Sequence, residues 1–393
     1  MLFRSLSKLK RKLDSLCPVH LMVPLDVQYA LPADETASSE VASKAVDSQV
    51  LPVPDWWRNG RSVLMIGAKA LQLIPPDRLE HFVARGHLPV LTDAGARGVL
   101  TENSQFALGH IGFMPSPSAL APLGNKLGLV ADHFISIGME SSLQQRFMRP
   151  GMSVEQISPE SFGSILESAW QRPDSATIAM RSRWCSDLQR HERPSKARQE
   201  DGPPNKLSLP ELIKGVARTL SNDTIYCLDA GQVRRQATKY LVAETPRSIL
   251  SAESLAPMGW GICAAIGAKL AAPERTVVAF TGDGSMLMHG MELATAARYQ
   301  LHILFVICDN KSYASIAQRQ PILSELAQLP NVNWVELASS LGVPARLIRD
   351  LETLDRSLKH FCETAGPLVL VADIPAIAED SFDEPSGINW IGQ

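Results

Sequence analysis

Residues Thr276–Ala314 read TVVAFTGDGSMLMHGMELATAARYQLHILFVICDNKSYA, and this stretch constrains the fold more than any other. Two short apolar runs, Thr276–Thr281 and Ile303–Cys308, each end in polar residues, and a helical spacing from about Met288 to Tyr299 lies between them. Strand, helix and strand in this sense make a βαβ unit. In a parallel sheet both strand ends fall on one edge, so Asp283 and Asn310 are expected to meet there despite their separation in sequence. Such an edge can bind a metal and a phosphate.

The residue types suit that chemistry. The Asp283 carboxylate and the Asn310 amide oxygen are hard oxygen ligands of the kind Mg²⁺ takes, with the remaining positions shared between water and phosphate. Gly282 and Gly284 let the backbone approach a ligand, and the amides of Gly284 and Ser285, near a helix start, can face an anion. A Gly-Asp-Gly alone is an ordinary turn. Here it is followed in order by the Met-Glu-Leu-Ala-Thr-Ala helix, the second apolar strand and the Asp309-Asn310 pair. Together these resemble the diphosphate-binding domain of thiamine-diphosphate enzymes, specifically the acetolactate synthase and benzoylformate decarboxylase-like group.

The resemblance implies thiamine diphosphate and Mg²⁺ as cofactors, with Asp283, Asn310 and the backbone carbonyl of Ser312 as metal ligands. Asp309 stands where the family usually has Asn, and Ala314 where a Gly often follows. Asp229-Ala230-Gly231-Gln232, closing a strand at Thr224–Leu228, matches a Val-Gly-Gln-His run whose backbone and Gln meet the diphosphate, with Val233 in place of the His. Met258, ahead of an Ala-rich helix, stands where the family puts a bulky apolar residue under the thiamine, and Gly259 and Gly261 are small enough for close approach to the cofactor. Tyr313 to Ile316 would wrap the diphosphate. Ala317 replaces an active-site Glu of the pyruvate decarboxylase branch, which argues against simple aldehyde release.

At 393 residues, 45% apolar and 20% charged, the chain is long enough for two domains with sizeable cores. A net charge of −3 argues against a nucleic-acid or anionic-membrane surface, and no apolar run reaches the roughly 18 residues of a membrane span. The six cysteines, Cys17, Cys185, Cys227, Cys263, Cys308 and Cys362, include no C-x-x-C pair; they read as small core residues in a reducing compartment, the cytoplasm.

The start, MLFRSLSKLKRKL, puts Leu2, Phe3, Leu6, Leu9 and Leu13 on one helical face. It could be a targeting or membrane-surface helix, or a helix packed on a domain. The more specific reading adds PVHLMVPLDVQ, which resembles the last strand of the family's pyrimidine-binding domain, and makes residues 1–28 the end of that domain. Residues 29–54 read as a linker.

Residues 55–184 resemble the family's middle α/β domain, with strands at Val63–Gly67, Pro89–Thr92 and His133–Gly138 and helix signals at Asp77–Gly86 and Ser116–Leu129. FAD is not expected in it: VLMIG leads into Ala68-Lys69-Ala70 instead of a Gly-rich turn, and the arginine and acidic contacts of flavin-binding members are missing after SIGMESS. Charged, Pro-containing residues 185–206 read as a second linker. Residues 207–376 form the cofactor domain, opened by a capping box from Ser208 to Glu211, continued by helices at Asn333–Leu341 and Leu351–Cys362 and closed by a strand at Leu368–Ala372; 377–393 are an acidic tail. The fold class is thus α/β, with two doubly wound parallel-sheet domains, the second six-stranded, after a terminal helix and strand.

In the family, a Glu of the pyrimidine domain activates the cofactor, and no residue of this chain matches it. The expectation is therefore one half of a split enzyme: a separate pyrimidine-domain subunit supplies the Glu, the hetero-oligomer is built on a dimer or tetramer, and the reaction is 2-oxo acid decarboxylation with transfer of the acyl-carbanion equivalent to an acceptor. The alternative is a non-catalytic regulatory or remnant homologue.

Overall fold

The computed structural model describes residues 52–123, 128–148, 152–168, 170–190, 207–253, 255–319, 322 and 324–375. The sequence readings for residues 1–28, most of 29–54, 191–206 and 377–393 lie outside the described residues.

Two all-parallel sheets carry the fold. The first joins β1 (Ser62–Ile66), β2 (Val90–Asp93), β3 (Ala107–Ile111), β4 (His133–Ile137) and β5 (Glu155–Ile157) in the order β3-β2-β1-β4-β5. The second joins β6 (Ile225–Leu228), β7 (Ile249–Ser251), β8 (Val277–Gly282), β9 (Ile303–Asp309), β10 (Ala345–Ile348) and β11 (Leu368–Asp373) in the order β10-β11-β9-β8-β6-β7. This is the expected pair of doubly wound α/β units.

The strand compositions follow from burial. Every residue of β9, ILFVICD, is buried, as a strand covered by helices on both faces must be. Side chains alternate between two cores: Leu304 and Val306 join Leu212, Val216, Phe280 and Leu358 on one face, and Ile303, Phe305 and Ile307 join Ile262, Val277 and Trp334 on the other. The helix Leu209–Thr219 starts with the expected capping box, Ser208 Oγ accepting from Glu211 N and the Glu211 side chain returning to the Ser208 amide.

Several boundaries differ from the sequence reading. The helix after β8 begins at Asp283, not near Met288, and runs to His289 before a 3₁₀ turn and a second segment, Leu293–Arg298. Asp283 directly follows the strand, so the glycines flank a helix start. The helix expected over Ser116–Leu129 is a short one, Pro117–Leu120, followed by a 3₁₀ turn. Cys185–Arg190, read as linker, are the last turns of the helix Ser175–Arg190, whose Trp184, Cys185 and Leu188 are buried. At the end of β1, a Cβ on Gly67 would run into Gly138 O and Met139, so this glycine serves backbone packing against the end of β4. Among the described residues no helix is long and apolar enough to cross a membrane.

Candidate cofactor and metal site

The chain leaves β6 outward to β7, returns to β8 on the other side, and continues through β9. The crevice beyond the carboxyl ends of β6 and β8 is the switch point where such sheets bind ligands. The loops after β6, β8 and β9 and the turn before the helix Trp260–Ala271 converge there.

Asp229, at the end of β6, organises the crevice. It is fully buried and accepts the amides of Ala230 and Gly259, both at 2.8 Å, and the Thr281 hydroxyl at 3.1 Å. One carboxylate thereby ties β6, β8 and the Met258–Trp260 turn together. Burial pushes its pKa up, and these hydrogen bonds act in the opposite direction. Its position also gives Gly259 and Gly261 a packing role within the protein. A Cβ on Gly261 would stand 2.9 Å from Asp229 N, and one on Gly259, at φ +84°, would collide with the His289 ring. The close approach that these glycines permit is made by protein atoms.

Asp283 and Asn310 do meet. Asp283 Oδ1 accepts the Gly284 amide at 2.8 Å, Oδ2 accepts the Asn310 amide at 3.1 Å, and the Lys311 amide adds a further bond. The Gly284 amide, read as a candidate anion contact, is thus turned onto the neighbouring carboxylate. Asn310 Oδ1 accepts from Ser312 N at 3.1 Å, closing an Asx turn around Lys311, which sits at φ +58°. That oxygen keeps a second lone pair. Ser312 and Tyr313 are held from behind, Ser312 Oγ and Tyr313 N both donating to Ala327 O at 3.2 and 2.8 Å. Burial pushes the Asp283 carboxyl up to about 6 against the pull of the amides, with the neighbouring Asp309 carboxylate adding to the rise.

Met258 and Tyr313 pack over Gly284: a Cβ there would lie 2.8 Å from Met258 Cε and 2.5 Å from Tyr313 Cε1. Gly231, at φ +105°, and Gly282 have no atom within 4 Å of the Cβ position, so both border open space. Gln232 and Ser285 are buried at helix starts, and Ile316 is 52% exposed. The structure therefore gathers Met258, Gly282, Asp283, Gly284, Asn310, Ser312 and Tyr313 into one cluster. Asp229 was read only as part of a turn, because its partners Gly259 and Thr281 lie 30 and 52 positions away. The signal available was an Asp directly after an apolar strand.

These residues fit a metal-bound diphosphate. Asp283 and Asn310 offer hard oxygens, and the open positions at Gly231 and Gly282 leave room for an anion. Among the described residues no three His, Cys, Asp or Glu side chains form a metal-holding group, so a cation here takes at most two such side chains and completes its shell from amide, backbone, water and phosphate oxygens. Beside the crevice, between the two sheets, Arg234 pairs with Glu253 at 3.2 Å and lies over the Phe113 ring, 4.0 Å from its centre.

Comparison with known proteins agrees with this geometry. Residues 229–372 match the family described as thiamine pyrophosphate enzyme, C-terminal TPP binding domain. The mitochondrial acetolactate synthase of Schizosaccharomyces pombe is 24% identical over 89% of the chain and 58% of its own length. The acetolactate synthase isozyme 1 large subunit of Escherichia coli is 25% identical over 91% of the chain and 67% of its own length. A probable acetolactate synthase large subunit of Methanococcus aeolicus is 34% identical over 38% of the chain and 26% of its own length. The chain thus spans 58% of the Schizosaccharomyces pombe relative and 67% of the Escherichia coli isozyme 1 large subunit. Residues 229–372 carry the C-terminal domain of thiamine pyrophosphate enzymes, and over most of its length the chain is a homologue, at low identity, of acetolactate synthases.

Proposed function

We propose that the chain holds thiamine diphosphate with Mg²⁺ at the β6–β8–β9 edge and serves as the large subunit of an acetolactate synthase-like carboligase. It acts on a 2-oxo acid, releases its carboxylate carbon, and passes the remaining acyl unit to an acceptor. The observation that carries this reading is the meeting of Asp283 and Asn310 at adjacent strand ends, beside Met258 and Tyr313 packed on Gly284. When bound, thiamine diphosphate supplies the electron sink for breaking the bond between carboxylate and carbonyl carbon. Asp283, Asn310 and the Ser312 carbonyl hold the cation, Gly231, Gln232, Gly282 and Ser285 border the diphosphate, and Met258, Gly259, Tyr313 and Ile316 support the organic part.

The carboxylate that activates the cofactor comes, in this proposal, from a separate pyrimidine-domain polypeptide. Exposed apolar side chains at Leu255, Met288, Met291 and Ile316, from segments bordering the same edge, favour a covering partner, and relatives are named large subunits. The five described cysteines are all free, which suits the reducing cytoplasm.

Titration calorimetry should show cofactor binding that needs a divalent cation and disappears in Asp283→Ala. Equal affinity in that variant removes the metal assignment. Turnover of a panel of 2-oxo acids should then require a mixture of this chain with a candidate pyrimidine-domain protein, and vanish when the candidate's Glu becomes Gln. Robust turnover by this chain alone sinks the two-subunit reading; cofactor binding without activity in any mixture points to a regulatory homologue.

A further inference from the structure

The strand ends bring a second carboxylate to the cation site. Gly282 pairs in register with Cys308, so the next residues, Asp283 and Asp309, stand side by side on one edge. Their side chains stand close enough for each to feel the other's charge, and Asp309 is only 8% exposed. On the far side Asp309 pairs in register with Asp373, so no basic residue flanks it in the sheet. Two carboxylates so placed at a shielded edge repel each other, and a divalent cation between them removes the repulsion while matching their combined charge. An Asn at position 309 would leave one positive charge uncompensated, to be neutralised by the diphosphate.

We propose that Asp309 is a second carboxylate ligand of the divalent cation, so that this chain takes up the cation before, and without, the diphosphate. The proposal rests on the reading of Asp283 and Asn310 as the cation site. It changes the coupling between the two ligands. With both carboxylates present, the loaded cation offers the diphosphate a nearly neutral site, and each ligand raises the other's affinity less than it would beside an Asn, by the same factor in both directions.

The full chain should be titrated with Mn²⁺ alone, followed by electron paramagnetic resonance, and then with thiamine diphosphate at saturating Mn²⁺. Wild-type chain should bind one Mn²⁺ without diphosphate. Asp309→Asn, isosteric and checked by near-ultraviolet circular dichroism, should weaken that binding by about tenfold or more and tighten the later cofactor step. Asp283→Ala should abolish Mn²⁺ binding. No Mn²⁺ binding by the wild-type chain without diphosphate overturns the proposal with no variant needed. Equal Mn²⁺ affinity in Asp309→Asn and wild type overturns it while Asp283→Ala still supports the cation site; full Mn²⁺ affinity in Asp283→Ala removes the site reading itself.

Discussion

His110 lies at the end of β3, buried beside Arg97 and Glu102, with Nε2 at 3.2 Å from Phe113 O. Burial, and then the Arg97 charge, push its pKa down to about 4, with Glu102 offsetting only part of the effect. An unfolded histidine titrates near 6.5, so between pH 6.5 and about 4 the unfolded chain takes a proton that the folded chain refuses. Stability present above pH 6.5 is therefore lost as pH falls through that window, by up to about 3 kcal/mol from this group. Denaturant unfolding at several pH values should give a shallower acid-side slope for His110→Gln than for wild type; parallel slopes would remove His110 as the source. What was legible at this scale depended on how local the pattern was. Asp283 and Asn310 each directly follow an apolar strand. Asp229 also follows an apolar strand, but its partners lie 30 and 52 positions away, and the state of His110 is set by burial and by the Arg97 and Glu102 charges, which no residue pattern announces.

Seven strands were legible, and the four that were not, β3, β5, β7 and β10, are the four sheet edges. Interior strands buried on both faces leave continuous apolar runs. Edge strands do not: two of the three residues of β5, Glu155 and Gln156, are polar, and β10 exposes Leu347. The helix Ser175–Arg190 hid its last turns for a related reason, since polar Ser186 and charged Asp187 and Arg190 surround buried Cys185 and Leu188. Arg181 fastens this helix. It is fully buried and donates to the carbonyls of Trp56, Gly60 and Gly86 at 2.8 to 2.9 Å and of Asn59 at 3.0 Å. Burial lowers its pKa to about 10, so it stays charged at neutral pH. Arg181→Met would leave several buried carbonyls without donors, each costing about 1–3 kcal/mol. The variant should lose several kcal/mol in denaturant unfolding and free the helix to exchange its amide hydrogens early. A loss under about 1 kcal/mol would mean that water replaces the guanidinium.

The two sheets are joined by a buried ion pair. Arg97, after β2, pairs with Glu102 at 2.7 Å and donates to Leu241 O at 2.8 Å and Thr238 O at 3.4 Å, at the end of the helix Gln232–Tyr240. Glu102 in turn accepts from Ala243 N at 2.9 Å and donates its own amide to Ala243 O at 3.0 Å. Burial pushes the Glu102 carboxyl up, yet the charge and hydrogen bonds of Arg97 outweigh it and hold the group below the usual carboxylate range. Removing one partner of such a pair strands the other, at about 3–5 kcal/mol. Because both members of this pair reach across to the second sheet, Arg97→Leu should cost stability and also uncouple the halves. Wild-type chain should unfold in one thermal transition that rises when thiamine diphosphate and Mg²⁺ are added, since ligand bound to one half stabilises whatever unfolds with it. In Arg97→Leu two transitions should separate, and the ligands should raise only the one belonging to residues 207–375. Hydrogen exchange of β1 and β4 can follow the first half, and that of β8 and β9 the second. A single transition in the variant that still moves as a whole with the ligands would mean that the halves are held together by contacts other than this pair.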